Sequence, residues 1–234
     1  MRTGSGLIVF AFLSLSVFAG TPDQAAVEHR RARALMANAQ QTTNPIRLLM
    51  LGFDIKESLD KALRLDPGNV QVRLDLVRFH VTSPRIVGGD EDEARAQAAE
   101  IAKHDAPLGA FARGYIAYKA KKEYGPARRE LREAVRTAKE PSTKALAMQW
   151  LGWLSQETQQ WDEAFAMFEE LRDSYEIGRT AAFCTCQVER GRAALQEYLR
   201  GKTLAHAAEA KRLLAKLRPA APSSGAPRAD AKPR

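Results

Sequence analysis

Two cysteines are all that the chain carries, too few for the disulfide framework that holds small secreted domains together. Aromatic residues are sparse, at 7%, and no segment alternates Val, Ile, Thr and aromatics as a half-buried strand does. Fifteen glycines and 11 prolines among 234 residues are too few for a collagen-like or low-complexity chain. Long hydrophobic runs are missing too, apart from Leu7–Phe18, which only Ser14 and Ser16 interrupt. What remains is 45% hydrophobic and 27% charged residues. That is enough apolar material to bury a core, and the charge is too mixed in sign for disorder throughout. Composition therefore implies a mostly helical protein.

The run Leu7–Phe18 follows a single early charge, Arg2, and precedes the small-x-small pattern Val17-Phe18-Ala19 and the breaker Thr21-Pro22. At about 12 residues it falls short of the roughly 20 that a permanent membrane helix requires. Residues 1–20 accordingly read as a signal peptide cleaved near Ala19/Gly20, and the protein is expected to be periplasmic or secreted. Arg outnumbers Lys 24 to 12, which fits a GC-rich bacterial source. The net charge of +8 is polarised: Gly178–Arg234 hold 12 basic and 4 acidic residues, while residues 1–177 balance at 24 each. Such a basic end suits an acidic protein or an anionic surface. Residues 219–234, rich in Pro, Ala, Ser, Lys and Arg, read as a disordered basic tail.

Between these ends, residues 21–218 form one helical domain. Breakers at Asn44-Pro45, Asp66-Pro67-Gly68-Asn69, Ser83-Pro84, Gly88-Gly89, Pro107, Gly125-Pro126, Pro141 and Gly201 separate segments of about 12–20 residues with helical apolar spacing. Asn44 is placed to cap a helix that starts at Pro45. Asp90 with Glu93 resembles a capping box.

The segments also resemble one another. Trp161-Asp-Glu-Ala164-Phe-Ala-Met-Phe168 carries a small residue followed four positions later by a large apolar one, and Met148, Leu151 and Gly152 lie upstream. Phe111, Tyr118, Tyr124, Ala127, Leu131, Ala134 and Val135 repeat that arrangement. Leu59, Ala62, Leu63, Arg64, Leu65, Asp66, Pro67, Gly68 and Asn69 retain the end of an earlier copy. Ala94, Ala127 and Ala164 are 33 and 37 residues apart. On these residues the chain resembles tetratricopeptide-repeat proteins of the exported bacterial type, whose period is roughly 34 residues. The resemblance implies an all-α, right-handed superhelical solenoid of about four antiparallel helix pairs plus a capping helix, each pair burying an apolar face against the next. Val81–Gly89 lengthens one turn, and the last pair keeps the pattern least well, at Ala194 and Tyr198. Helix 203–217 is expected to close the array with Leu204, Ala207, Leu213, Leu214 and Leu217 inward and Glu209, Lys211, Arg212 and Lys216 outward.

Catalytic and metal-binding readings find little support. Arg85-Ile86-Val87-Gly88-Gly89 looks like the activation sequence of a trypsin-like protease, yet the chain lacks the β fold and the nucleophile motif such chemistry needs. A turn before a capped helix accounts for it. Cys184 and Cys186 lack the further ligands of a zinc site, since His29, His80, His104 and His206 are scattered. Two residues apart on a helix point to nearly opposite sides, so an internal disulfide is disfavoured. Buried thiols are the expectation, with an intermolecular disulfide as the alternative. Asp90-Glu-Asp-Glu93 lacks the spacing of a calcium loop and suits a helix start. His29-Arg30-Arg31 with Arg33 reads as a solvated helix face. No phosphate-binding glycine loop and no aromatic-basic platform for nucleic acid occurs.

A binding surface is the reading that remains, without cofactor, metal or catalysis. In the family it resembles, the first helices of successive pairs line a concave groove. Carrying those positions over nominates Gln71, Arg78, Lys119, Gln149, Trp153, Gln156 and Arg179 as a partner-binding groove, with Trp153 the foremost anchor. Arg78, Lys119 and Arg179 favour acidic protein or peptide partners. The sequence thus points to an exported, non-enzymatic adaptor or scaffold of the cell envelope. The alternative is a protein that docks its basic C-terminal end on an anionic envelope surface, with the repeats as spacer.

Overall fold

The computed structural model describes residues 22–201 and 205–217. The signal peptide and basic tail expected from the sequence lie outside this range. The chain divides into two compact units, residues 1–72 and 73–234. Among the described residues every regular element is helical, and none of the helices is long and apolar enough to cross a membrane.

In the first unit, α1 (Pro22–Gln41) packs on α2 (Pro45–Leu65). Asn44 Oδ1 accepts from the backbone N–H groups of Ile46 and Arg47 at 3.0 and 3.1 Å, and Pro45 opens the helix, as the spacing predicts. Leu51, Ile55, Leu59 and Ala62 lie buried along one face of α2, with Ala25 and Ala32 buried on α1. Lys61 Nζ reaches Glu28 at 2.5 Å, joining the two helices. The Asp66–Asn69 turn then ends α2, and Asn69 Oδ1 accepts from the N–H groups of Gln71 and Val72, both at 3.1 Å, to start α3 (Val70–Thr82).

In the second unit the remaining helices pack on one another in chain order: α4 (Glu91–His104), α5 (Ala106–Lys121), α6 (Tyr124–Thr137), α7 (Pro141–Glu157), α8 (Trp161–Glu170), α9 (Ser174–Cys184) and α10 (Val188–Arg200). α5 also touches α7, and α11 (Ala207–Lys216) closes against both α9 and α10. The Val81–Gly89 insertion forms a short 3-10 helix at Arg85–Val87, and Gly88 adopts φ 96°. His80 Nδ1 lies 2.9 Å from the Gly88 carbonyl oxygen, pinning the turn. Asp90 Oδ1 accepts from the N–H groups of Asp92 and Glu93 at 2.8 and 3.3 Å, so the acidic run does serve as a helix start.

One packing device recurs three times. A glycine on α5, α7 and α9 faces a large residue on the following helix: Gly114 against Leu131, Gly152 against Phe168, and Gly178 against Leu195. A Cβ on Gly152 would stand 2.5 Å from Phe168 Cζ, closer than carbon atoms pack. Missing methyl groups thus let the helices approach. Each pair also turns through a non-glycine residue in the left-handed region: Lys122 at φ 56°, Gln159 at 58° and Thr185 at 54°.

Two expectations change in the last pair. Its small-then-large positions are Gly191 and Leu195, three residues from the expected register at Ala194 and Tyr198, because Gly178 accepts Leu195 and Gly191 meets Ala181. The terminal helix begins at Ala207, and Leu204 lies outside the described residues. Ala210 and Leu217 are its most buried residues. Glu209, expected outward, faces Tyr175 instead. Burial first and the Glu209 hydrogen bond second push the Tyr175 hydroxyl up to about 12.

Candidate functional site

Three helices bring one stripe each to a common cleft. On α5, Asp105 caps the start by accepting from Leu108 N–H at 2.8 Å, which sets the register that places Tyr118 and Lys119 in the last turn. On α7, Pro141 fixes the first position, and Trp150, Trp153, Gln156 and Glu157 follow at spacings that share one side of a helix. On α9, Asp173 Oδ1 accepts from Glu176 N–H at 3.0 Å, and Arg179 and Phe183 stand one turn apart. Together Tyr118, Lys119, Trp150, Trp153, Gln156, Glu157, Arg179 and Phe183 line a cleft of about 480 Å³.

Its aromatic part is continuous. Trp150 meets Tyr115 edge-on at 4.8 Å, Trp153 at 5.2 Å and Tyr118 at 6.0 Å between ring centroids. Lys119 Nζ hangs over this group, 5.4 Å from the Trp150 ring and 5.6 Å from Tyr118. Arg179 stacks over Phe183 at 5.3 Å.

A polar network underlies the α9 wall. The buried Glu176 carboxylate accepts from Arg179 Nη1 at 2.8 Å, Trp153 Nε1 at 3.0 Å and Gln156 Nε2 at 3.1 Å. Gln156 also donates to Thr180 Oγ1 at 2.7 Å and accepts from Arg179 Nη2 at 3.0 Å. Burial holds the Glu176 carboxyl above the usual carboxylate range, against the pull of Arg179 and its hydrogen-bond donors. At the opposite rim, Glu157 accepts from Tyr118, from Tyr124 Oη at 2.7 Å and from Lys122 Nζ at 3.4 Å. The Tyr118 hydrogen bond, ahead of the others, holds Glu157 below its ordinary value. Burial, followed by the Glu157 contact, raises Tyr118 far above the usual phenol range.

Four of the seven nominated residues therefore meet: Lys119, Trp153, Gln156 and Arg179. Gln71 is exposed in the first turn of α3 and belongs to the first unit. Arg78 donates to the buried Asp75 at 3.0 Å and does not line the cleft. Gln149 is half-buried on α7, one position from Trp150, and points elsewhere. Tyr118, Trp150, Glu157 and Phe183 are the lining residues that the sequence reading left out. A one-turn extension from the nominated positions reaches three of them: Trp150 precedes Trp153 by three, Glu157 follows it by four, and Phe183 follows Arg179 by four.

The three cations expected to favour acidic partners, Arg78, Lys119 and Arg179, stand in different surroundings. Arg78 and Arg179 are each neutralised by a buried acid, Asp75 and Glu176. Among the described residues Lys119 has no carboxylate within salt-bridge distance, and it is exposed. The cysteine pair departs further. Cys184 and Cys186 form a disulfide with each other, Cα atoms 5.1 Å apart. Helical spacing does not hold across the pair, because α9 stops at Cys184 and Thr185 turns left-handed, which brings the two side chains to the same side.

Among the described residues, no group of three side chains is arranged to hold a metal ion. No protein-family model matches the chain, and no curated protein matches its sequence.

Proposed function

We propose that this chain is an exported, non-enzymatic adaptor of the cell envelope, built as a tetratricopeptide-like solenoid of about four helix pairs capped by α11. The recurrent glycine-to-large contact on α5/α6, α7/α8 and α9/α10, with a left-handed turn inside each pair, supports the repeat reading. The observation that carries the functional reading is the cleft lined from α5, α7 and α9. It offers rigid aromatic surface from Tyr118, Trp150 and Phe183 beside Lys119, which among the described residues has no carboxylate within salt-bridge distance.

That chemistry suits an acidic peptide segment with an apolar or aromatic side chain. The side chain fills the aromatic trough, and a neighbouring carboxylate pairs with Lys119, which also sets orientation. Trp153 and Arg179 act beneath this surface: both are tied to Glu176, so they shape the wall more than they reach for a partner.

Tryptophan fluorescence during titration with acidic, aromatic-containing peptides tests the proposal. Binding should quench or shift the Trp150 and Trp153 emission. Lys119→Glu and Phe183→Ala should each weaken it at least tenfold without changing helicity. Equal affinity for the variants, or for peptides with the acids replaced by amides, would remove the cleft as the binding site.

A further inference from the structure

The Cys184–Cys186 disulfide rests against the core of the last helices but constrains the chain little. It closes a ring of three residues, which removes little freedom from the unfolded chain. The helices on either side already pack directly, Gly178 on Leu195 and Gly191 on Ala181. The left-handed angle at Thr185, φ 54°, is the turn that the other pairs make at Lys122 and Gln159 without a disulfide, so the bond is not needed to form it. Both cysteines are partly exposed, and the pair begins one residue after Phe183 at the edge of the cleft.

From this geometry we infer that Cys184 and Cys186 form a thiol–disulfide exchange site that accepts two electrons from a dithiol or from two thiols. A thiolate attacks Cys186 Sγ, forming a mixed disulfide as the Cys184–Cys186 bond breaks. The bonding pair leaves on Cys184 Sγ, where the Cys186 N–H, 3.2 Å away, stabilises the thiolate. A second thiolate then attacks the donor's sulfur in the mixed disulfide and releases Cys186. The donor becomes a disulfide, and the two cysteine thiolates take protons from solvent. The small ring and the partial exposure of both cysteines leave the bond open to attack by a thiolate.

The test equilibrates the full chain with mixtures of reduced and oxidised glutathione and counts thiols by alkylation and mass spectrometry while circular dichroism follows helicity. The pair should reduce and reoxidise reversibly, with helicity constant, in a buffer poised like a cellular glutathione pool. Cys184→Ser should accumulate a glutathione mixed disulfide on Cys186. A bond that stays oxidised until denaturant is added, or that opens only with loss of helix, would overturn the inference. So would an absence of mixed disulfide in Cys184→Ser.

Discussion

Replacing Gly152 by alanine puts a methyl group into the face of α7 that α8 occupies. The new carbon would lie 2.5, 2.7 and 3.0 Å from Cζ, Cε1 and Cε2 of Phe168, a side chain with no exposed surface. The ring has no room to retreat, so α7 and α8 must separate, an overpacking cost of about 1–3 kcal/mol. Alanine's better helix propensity returns about 1 kcal/mol. The net expectation is a destabilisation of up to about 2 kcal/mol, or a melting point lower by up to roughly 8 °C for a unit of this size. In a Phe168→Leu background the atoms that clash are gone, and the propensity gain should dominate, making the same alanine neutral or stabilising. Urea unfolding of the four proteins of this cycle, followed by circular dichroism, should give a coupling of about 2 kcal/mol between positions 152 and 168. If Gly152→Ala raises the urea midpoint of the parent protein, or has the same effect in both backgrounds, the close approach of α7 and α8 is refuted.

Three further outcomes are expected. Asp90→Ala should lower the urea midpoint, because two N–H groups at the start of α4 lose their acceptor; Asp90→Ser should recover most of the loss. Glu176→Ala leaves Trp153, Gln156 and Arg179 without their common acceptor and should destabilise by about 2 kcal/mol, less than a fully buried pair because the Arg179 side chain is 27% exposed; a blue-shifted or sharpened Trp153 emission with unchanged stability would contradict the network. Glu157 titrates below its ordinary value in the folded protein, so its contribution is present above the unfolded value and fades as pH falls through the folded one; Glu157→Gln should therefore lose less stability than the parent on acidification below about pH 4.5, measured by melting temperature against pH.

Local signals were legible in the sequence wherever neighbours along the chain settle the matter. Asn44 and Asp90 cap helices because a short acceptor side chain two or three residues ahead of free N–H groups needs nothing from the rest of the molecule. Helical periodicity likewise announced the all-helical character, and Lys119, Trp153, Gln156 and Arg179 were reachable by counting positions along first helices. Tertiary packing decided the rest. Gly191 and Leu195, not Ala194 and Tyr198, became the contact pair because Gly178 on the preceding helix leaves the hole they fill. Arg179 and Arg78 lost their freedom to buried acids that no charge count distinguishes from exposed ones. Cys184 and Cys186 joined because α9 ends between them, and where a helix stops depends on what the following turn is packed against. Periodicity is a property of one segment; closeness, pairing and exposure belong to several segments at once, and only their assembly fixes them.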